Sequence, residues 1–289
     1  EHKAVLAAGG RLADEGFDVR PIRVGGDGVV DLASLEDAVG SDTVLVSVML
    51  VNNEVGTIQP LADVARVVRA RAPHAVLHTD AVQAVPWLDM STAAQAPDLV
   101  SISGHKFGGP KGVGALVVRQ GVPIVPLLEG GGQERGWRAG TVNVPGVVAL
   151  ATALQVAQRE RVAENRRVGA LRDRLQAGLL DTVAGAFVNG DPNRKVAGNC
   201  HVGFPEVEAE SLLVALDQAD VYAAAGSSCS SGATEPSHVL AAMGVPRARA
   251  LASIRLSLGF ASTEEDVDRA LEVIPGAVAD LRAAARVAS

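Results

Sequence analysis

The stretch SISGHKFGGPKG, Ser101 to Gly112, sets a hydroxyl (Ser103), an imidazole (His105) and an amine (Lys106) where an apolar run gives way to a glycine-rich turn. In an open α/β sheet, ligands gather at the carboxyl ends of strands. Lys106 is therefore a candidate for a lysine that bonds covalently to a carbonyl, beside a phosphate cradle. The plainer reading is a surface lysine in a turn. A nucleotide P-loop is excluded, because GPKG lacks the Ser or Thr after Lys that would hold magnesium. Asp80, in LHTDAVQ, also ends a strand-like run. A carboxylate there can keep a pyridine nitrogen protonated and make the ring an electron sink, or it can simply cap the next helix. Gln83 can donate to a ring hydroxyl or be solvated. Asn53, in VNNEVG, is ordinary loop chemistry on its own.

Two cysteines differ in setting. Cys229 is flanked by Gly226, Ser227, Ser228, Ser230, Ser231 and Gly232. Such a stretch has little to bury, so an exposed, mobile thiol is expected, able to titrate and to act as the thiolate. An idle surface thiol is the alternative. Cys200, in the apolar NCHVGF, reads as core filler. Two thiols form neither a disulfide framework nor a four-thiolate zinc site. His74, His78, His201 and His238 have no partners at ligand spacing and read as structural, so no metal is expected.

The elements that must position these groups alternate in the first half. Lys3 to Glu15 reads as a helix with Val5, Leu6, Leu12 and Ala13 on its apolar face and Gly16 at its end. Thr43 to Val51 reads as a strand buried on both faces. Leu61 to Ala72 is a helix stopped by Pro73, and Ala75–His78, Asp98–Ser103 and Val113–Arg119 are strands. This rhythm predicts an α/β fold with a mostly parallel sheet. The second half predicts a long helix from Val147 to about Leu180, a strand at Asn199 to Phe204, and a helix over Glu210 to Leu216. It then predicts a Ser/Gly-rich loop over Gly226 to Gly232, a helix at His238 to Met243, a strand at Ser253 to Ser257 and a closing helix from Thr263 to Ala284. A domain boundary is placed in the long helix, near residue 160.

The chain has 289 residues, 48% hydrophobic and 20% charged, which is enough apolar material for a packed core. The formal net charge of -7 argues against a basic nucleic-acid or membrane-surface binder. The longest apolar run, Thr43 to Val51, falls far short of a bilayer span. With no targeting pattern, a cytoplasmic protein with reduced thiols is expected.

Taken in order, HTDAVQ, SGHKFGGPKG and GGGQERGWRAGT (Gly130 to Thr141) resemble the fold-type I pyridoxal-phosphate enzymes. Within them the chain is similar to the class V aminotransferase family and its cysteine desulfurases of the NifS/IscS-like type. EHKAVL, VNNEVGTIQP, AGSSCSSGATEPSHVL and SIRLSLG (Ser253 to Gly259) fit the same group, so the likeness runs along the whole chain. The resemblance implies a large cofactor-binding domain, residues 1–160, with a sheet of the seven-stranded type that is incomplete here. It implies a small C-terminal α+β domain, residues 161–289, carrying the Cys229 loop.

The resemblance also assigns roles. Lys106 would carry pyridoxal 5'-phosphate, Asp80 would hold its ring nitrogen, and Asn53 and Gln83 its phenolic oxygen. Ser103 and His105 would bind its phosphate, and Thr141 would reach the phosphate of a neighbouring subunit, which implies a homodimer. His2 would stack on the ring and help move protons. Arg255 would grip the substrate carboxylate, a task suited to a planar bidentate donor. Cys229 would accept the sulfur. On residue types alone, His2 reads as a frayed terminal residue and Arg255 as a strand-face charge.

The implied reaction turns L-cysteine into L-alanine and leaves a persulfide on Cys229. The loop SSCSSGATEPS resembles the group whose cysteine rides on a long mobile loop, and it lacks the RxGxxC arrangement of the other group. The expected sulfur acceptor is an iron–sulfur scaffold or a tRNA-thiolating enzyme, with no direct contact to nucleic acid or membrane. A selenocysteine lyase, another class V aminotransferase-type enzyme and an inactive truncated fragment are the rival readings. Cys229 argues against a plain aminotransferase, which needs no nucleophilic thiol.

Family members carry a Gly-Ala-Thr-rich turn before EHKAVL whose amides and hydroxyl bind phosphate at a helix N-terminus. This sequence does not contain it and reads as N-terminally truncated. Purified residues 1–289 are therefore expected to show little of the cofactor's yellow absorbance. Stoichiometric absorbance, measured at saturating cofactor after desalting, would contradict this.

Overall fold

The structure, a computed structural model, describes residues 1–226 and 235–288. Two compact units are present. One comprises Val39–Leu50 and Leu61–Arg161, and the other Glu1–Ala38, Val51–Pro60 and Val162–Ser289. The division falls within the long helix, between Arg161 and Val162. It differs from a simple 1–160 and 161–289 partition, because Glu1–Ala38 and Val51–Pro60 lie with the C-terminal part. Packing explains this: Val55, fully buried, clusters with Val239, Leu240, Met243 and Ala250, and Val30 donates its amide to Gln59 Oε1 at 2.8 Å.

The first unit holds a four-stranded sheet in the order β1 (Leu45–Ser47), β2 (Val76–Asp80), β3 (Leu99–Ser103), β4 (Gly114–Val118). β1, β2 and β3 run parallel and β4 is antiparallel to β3. The apolar run from Thr43 thus yields a shorter strand than its sequence predicts. The Val48 and Leu50 amides still bond to the His78 and Asp80 carbonyls, but at Val51 the chain turns back, with Asn52 N donating to Thr57 O at 3.0 Å. Alternation governs β2: Leu77 and Thr79 are buried while Val76, His78 and Asp80 share the half-buried face.

A single carboxylate locks β2 to β3 at their starts. Asp98 Oδ2 accepts the Leu77 amide at 2.8 Å and the Arg69 guanidinium at 2.6 Å. Arg119, just past β4, lies 3.4 Å from Asp98 Oδ1. Burial disfavours the charge, but the Leu77 amide and the two arginines outweigh it and hold the carboxyl below its ordinary value of 3.8.

The second unit carries an antiparallel sheet in the order β5 (Phe187–Val188), β6 (Asn199–Gly203), β8 (Ser253–Ser257), β7 (Ala224–Ala225). Helices cover it. Leu171, Leu175 and Leu179, four residues apart on the helix Val144–Thr182, pack with Leu212 and Leu216 of Ala209–Asp217 and with Ile274 and Val278 of Glu264–Ala288. Pro145 falls inside the first turn of the long helix rather than before it, a place where its missing N–H costs nothing. The N-terminal helix, Lys3–Asp14, forms as its periodicity predicts, yet buries no residue: Leu6 and Leu12 are exposed. Three short helices, Leu32–Ala38, Met90–Ala93 and Arg247–Leu251, were not anticipated. No helix among the described residues is long and apolar enough to cross a membrane.

Because the Asp98 carboxylate is depressed, its contribution is present above pH 3.8, its unfolded value, and is lost as pH falls through the lower folded value. Asp98→Ala is expected to lower stability by about 2 kcal/mol at pH 7, the cost of a lost charged hydrogen bond. The gap to wild type in urea denaturation should narrow as the pH drops below the carboxylate's range.

Candidate functional site

In the first unit the site grows from two adjacent strand ends. Asp80, the last residue of β2, pairs in register with Ser101 of β3, and the Ala81 amide donates to the Ser101 carbonyl at 2.9 Å. Asp80 Oδ1 accepts the Val82 amide at 2.9 Å, which fixes the carboxylate over the start of the following turn. Gln83 lies in that turn, half-buried. β3 runs two residues past the Asp80 pairing, to Ser103, and passes straight into a 3-10 turn, Gly104–Lys106.

The turn is shaped by Gly104, which is buried. A Cβ there would meet Leu150 at 3.0 Å and the Pro110 carbonyl at 3.1 Å, so any larger residue must push these neighbours aside by a few tenths of an ångström. Its carbonyl accepts the amides of Phe107 at 3.1 Å and Gly109 at 2.9 Å. Phe107 anchors inward against Val85 and Leu150, which leaves His105 and Lys106 exposed. Ser103 Oγ and His105 Nδ1 lie 2.9 Å apart. The first unit therefore brings Asp80, Gln83, Ser103, His105 and Lys106 to the carboxyl ends of β2 and β3. Thr141 lies apart from these in the chain, exposed, at the end of the Gly130–Thr141 motif.

His78 stands two residues before Asp80 on the same face of β2. Its Nδ1 meets Ser47 Oγ at 2.8 Å and its Nε2 meets Ser101 Oγ at 2.9 Å. Burial lowers its pKa against the pull of Asp80, so the ring is neutral at pH 7. The structural reading of His78 is correct, and its partners are hydroxyls rather than ligands.

The second unit gathers a different set around the turn Val51–Pro60. Asn52 Oδ1 accepts the amides of Glu54 at 2.9 Å and Val55 at 3.0 Å, shaping the turn that presents Asn53. Arg255, on β8 between His201 of β6 and Ala224 of β7, donates from Nη1 to the Asn53 carbonyl at 2.8 Å. Asn53 and Arg255 are thus brought together. His2 caps the N-terminal helix, its Nδ1 accepting the Ala4 amide at 3.1 Å. His238 Nε2 donates to the Glu1 carbonyl at 3.0 Å, which ties that terminus to the helix His238–Ala242. His2 is therefore an ordered cap, not a frayed end.

The cysteines separate cleanly. Cys200, on β6, is fully buried, and desolvation pushes its thiol up to about 11. It is inert core filler, as its setting predicts. Cys229 and its expected mobility lie outside the described residues. One residue that sequence reasoning passed over is Glu54, 2% exposed, where burial raises the carboxyl's pKa against the Ser237 hydrogen bond and nearby cations. Its only signal was a lone carboxylate between Asn53 and Val55 in VNNEVG. Among the described residues no group of His, Cys, Asp and Glu is arranged to hold a metal ion.

The donor set of the first unit fits a phosphorylated pyridine aldehyde. It offers an amine for the aldehyde, a carboxylate for the ring nitrogen, a carboxamide for a ring oxygen and a hydroxyl–imidazole pair for the phosphate.

Comparison with known proteins agrees. The family model for aminotransferase class-V matches residues 1–270. The chain is 47% identical to "Cysteine desulfurase IscS" of Methanosarcina thermophila, covering 98% of this chain and 69% of that protein. It is 46% identical to the "IscS-like cysteine desulfurase" of Mycobacterium tuberculosis, covering 100% and 74%. Among solved structures, a "NIFS-LIKE PROTEIN" superposes with a TM-score of 0.90 at 41% identity, over 97% of this chain and 73% of that one. DndA from Streptomyces lividans gives 0.76 at 40% identity, over 90% and 73%.

Proposed function

The chain belongs to the class-V aminotransferase family and is a cysteine desulfurase with pyridoxal phosphate as its cofactor, and we propose that Lys106, Asp80 and Cys229 carry its chemistry. The observation that supports this most is the β2–β3 register, which brings a carboxylate and the turn bearing an amine and a hydroxyl–imidazole pair to neighbouring strand ends.

When bound, pyridoxal phosphate supplies an aldehyde that amines take up and a protonated ring that draws electrons from the substrate's α-carbon. The residues do the rest. Lys106 would hold the cofactor's aldehyde and would take the substrate's α-proton. Asp80 would keep the ring nitrogen protonated. Asn53 and Gln83 would bond the phenolic oxygen, and Ser103 and His105 the phosphate. His2, whose Nδ1 is committed to the Ala4 amide, exchanges protons through Nε2. Arg255 orients the carboxylate of L-cysteine. The Cys229 thiolate then takes the substrate sulfur: the Cβ–Sγ bond of L-cysteine breaks, an S–S bond forms on Cys229, and the carbon skeleton leaves as L-alanine after protonation. The persulfide passes to an acceptor protein, an iron–sulfur scaffold or a tRNA-thiolating enzyme. We place the reaction in the cytoplasm, among reduced thiols.

We further propose a homodimer to which Thr141 contributes. An exposed apolar run near Thr141 supports it: Val125 and Leu127 are 88% and 89% exposed, and Leu128, Val142, Val144, Val147 and Val148 are also exposed. Such surface is uncommon on a monomer.

With the cofactor in excess, Cys229→Ala should cut alanine formation from L-cysteine by about a hundredfold or more, the loss of a covalent nucleophile, while Lys106→Ala should abolish reducible cofactor attachment. Alanine formation indifferent to Cys229→Ala would refute the sulfur-transfer role. Separately, light scattering on the eluting protein should give a dimer for wild type and a monomer for Val148→Glu; a monomeric wild type would dismiss the dimer.

A further inference from the structure

The helix Lys3–Asp14 carries His2 as its cap, yet it buries no residue. Apolar packing therefore does little to fix that imidazole, and polar ties must do so. The first acceptor of the helix is the His2 carbonyl, which takes the amides of Val5 at 3.0 Å and Leu6 at 3.1 Å. The Glu1 carbonyl lies one residue outside that ladder. His238 reaches it: Nε2 donates to the Glu1 carbonyl at 3.0 Å, and because a carbonyl only accepts, the ring carries a proton on Nε2.

The two ends of this bond are held unequally. His238 opens the helix His238–Ala242, whose next residues, Val239 and Leu240, are buried with Val55, Met243 and Ala250. Ser237 caps that helix: Oγ accepts the amides of Val239 at 3.1 Å and Leu240 at 3.3 Å, and its proton goes to Glu54 Oε2. Glu54 is itself buried, at 2% exposure. His238 thus extends a packed anchor to a helix start that lacks one.

Ser, Thr, Asp and Asn are the preferred caps, so helix stability does not explain an imidazole at position 2. We propose that His238 is a positioning residue that holds the Glu1 carbonyl and thereby sets the His2 ring for proton exchange. The proposal rests on the desulfurase reading and its use of His2. His238 pins the peptide before His2, and the Ala4 amide pins the ring through Nδ1 at 3.1 Å. Nε2 is the nitrogen left to exchange protons.

The test compares His238→Ala with His238→Gln, whose amide keeps an N–H for the Glu1 carbonyl. His238 is exposed, so neither change opens a cavity. The first readout needs neither cofactor nor turnover: hydrogen exchange of the Ala4 amide, followed by NMR. His238→Ala should speed that exchange about fivefold, the worth of one net hydrogen bond. With the cofactor in excess it should slow kcat for alanine release about fivefold at unchanged KM for L-cysteine. His238→Gln should return both close to wild type. In a His2→Ala background, His238→Ala should cost no further kcat, because a positioning residue acts only through the group it positions. The proposal is overturned if Ala4 exchange and kcat in His238→Ala match wild type, or if His238→Gln is no better than His238→Ala. It is also overturned if the kcat loss persists in the His2→Ala background, or if kcat and the melting temperature fall together with Ala4 exchange unchanged. A wild-type protein that releases no alanine would fail the desulfurase reading instead, and Ala4 exchange would still decide whether His238 holds the His2 cap.

Discussion

The parallel register between β2 and β3 is the constraint on which the chemistry depends. Side chains alternate along a strand, so a slip of one residue would turn Asp80 to the opposite face of the sheet. The pairing Asp80–Ser101 is held at both ends. At the start, Asp98 binds the Leu77 amide and Arg69; at the finish, the Ala81 amide closes onto the Ser101 carbonyl. Lys106 inherits its place from the same register, because β3 continues without a break into the turn that Gly104 shapes. The proposed catalytic geometry is strand registry carried one turn further.

The second unit solves a different problem. Its functional groups come from segments far apart in sequence, so backbone registry alone cannot align them. Polar bonds to the turn Val51–Pro60 do so instead: Arg255 to the Asn53 carbonyl, Asn199 to the Glu54 carbonyl, and Ser237 to the Glu54 carboxylate. Buried polar groups of this kind are costly unless paired. Pairing Arg255 and Asn199 to backbone carbonyls, which do not move with rotamer changes, makes the turn a rigid reference for β6 and β8, and the Glu54 carboxylate ties the helix His238–Ala242 to it through Ser237.

Strand ends were legible because apolar runs stop where hydroxyl, carboxylate and amine begin, as in LHTD and SISGHK. Direction was not: Val113–Arg119 is an apolar run that reads the same either way, and the structure makes β4 antiparallel. Nor was partnership. The apolar face of Lys3–Asp14 is real, but periodicity says where apolar groups lie and not what covers them, and Leu6 and Leu12 remain exposed. The packing of Val55 with Met243 is non-local and leaves no local trace. Residue types alone singled out Lys106, Asp80 and Cys229 as candidates. His2, Thr141 and Arg255 came only from the family resemblance, because a terminal imidazole, a loop hydroxyl and a strand guanidinium have common structural uses.

His78 shows why the surroundings of Asp80 matter as much as its position. A cation on that face of β2 would pair with the carboxylate and weaken its hold on a ring nitrogen. An imidazole placed there is the obvious competitor. The protein removes the competition twice: burial disfavours the imidazolium, and Ser47 and Ser101 satisfy both nitrogens with hydroxyls that donate or accept as required. The neutral ring fills space and stiffens three adjacent strands without drawing on the Asp80 charge. The carboxylate is then left for a ligand, as the proposed pairing of Asp80 with a pyridine nitrogen requires.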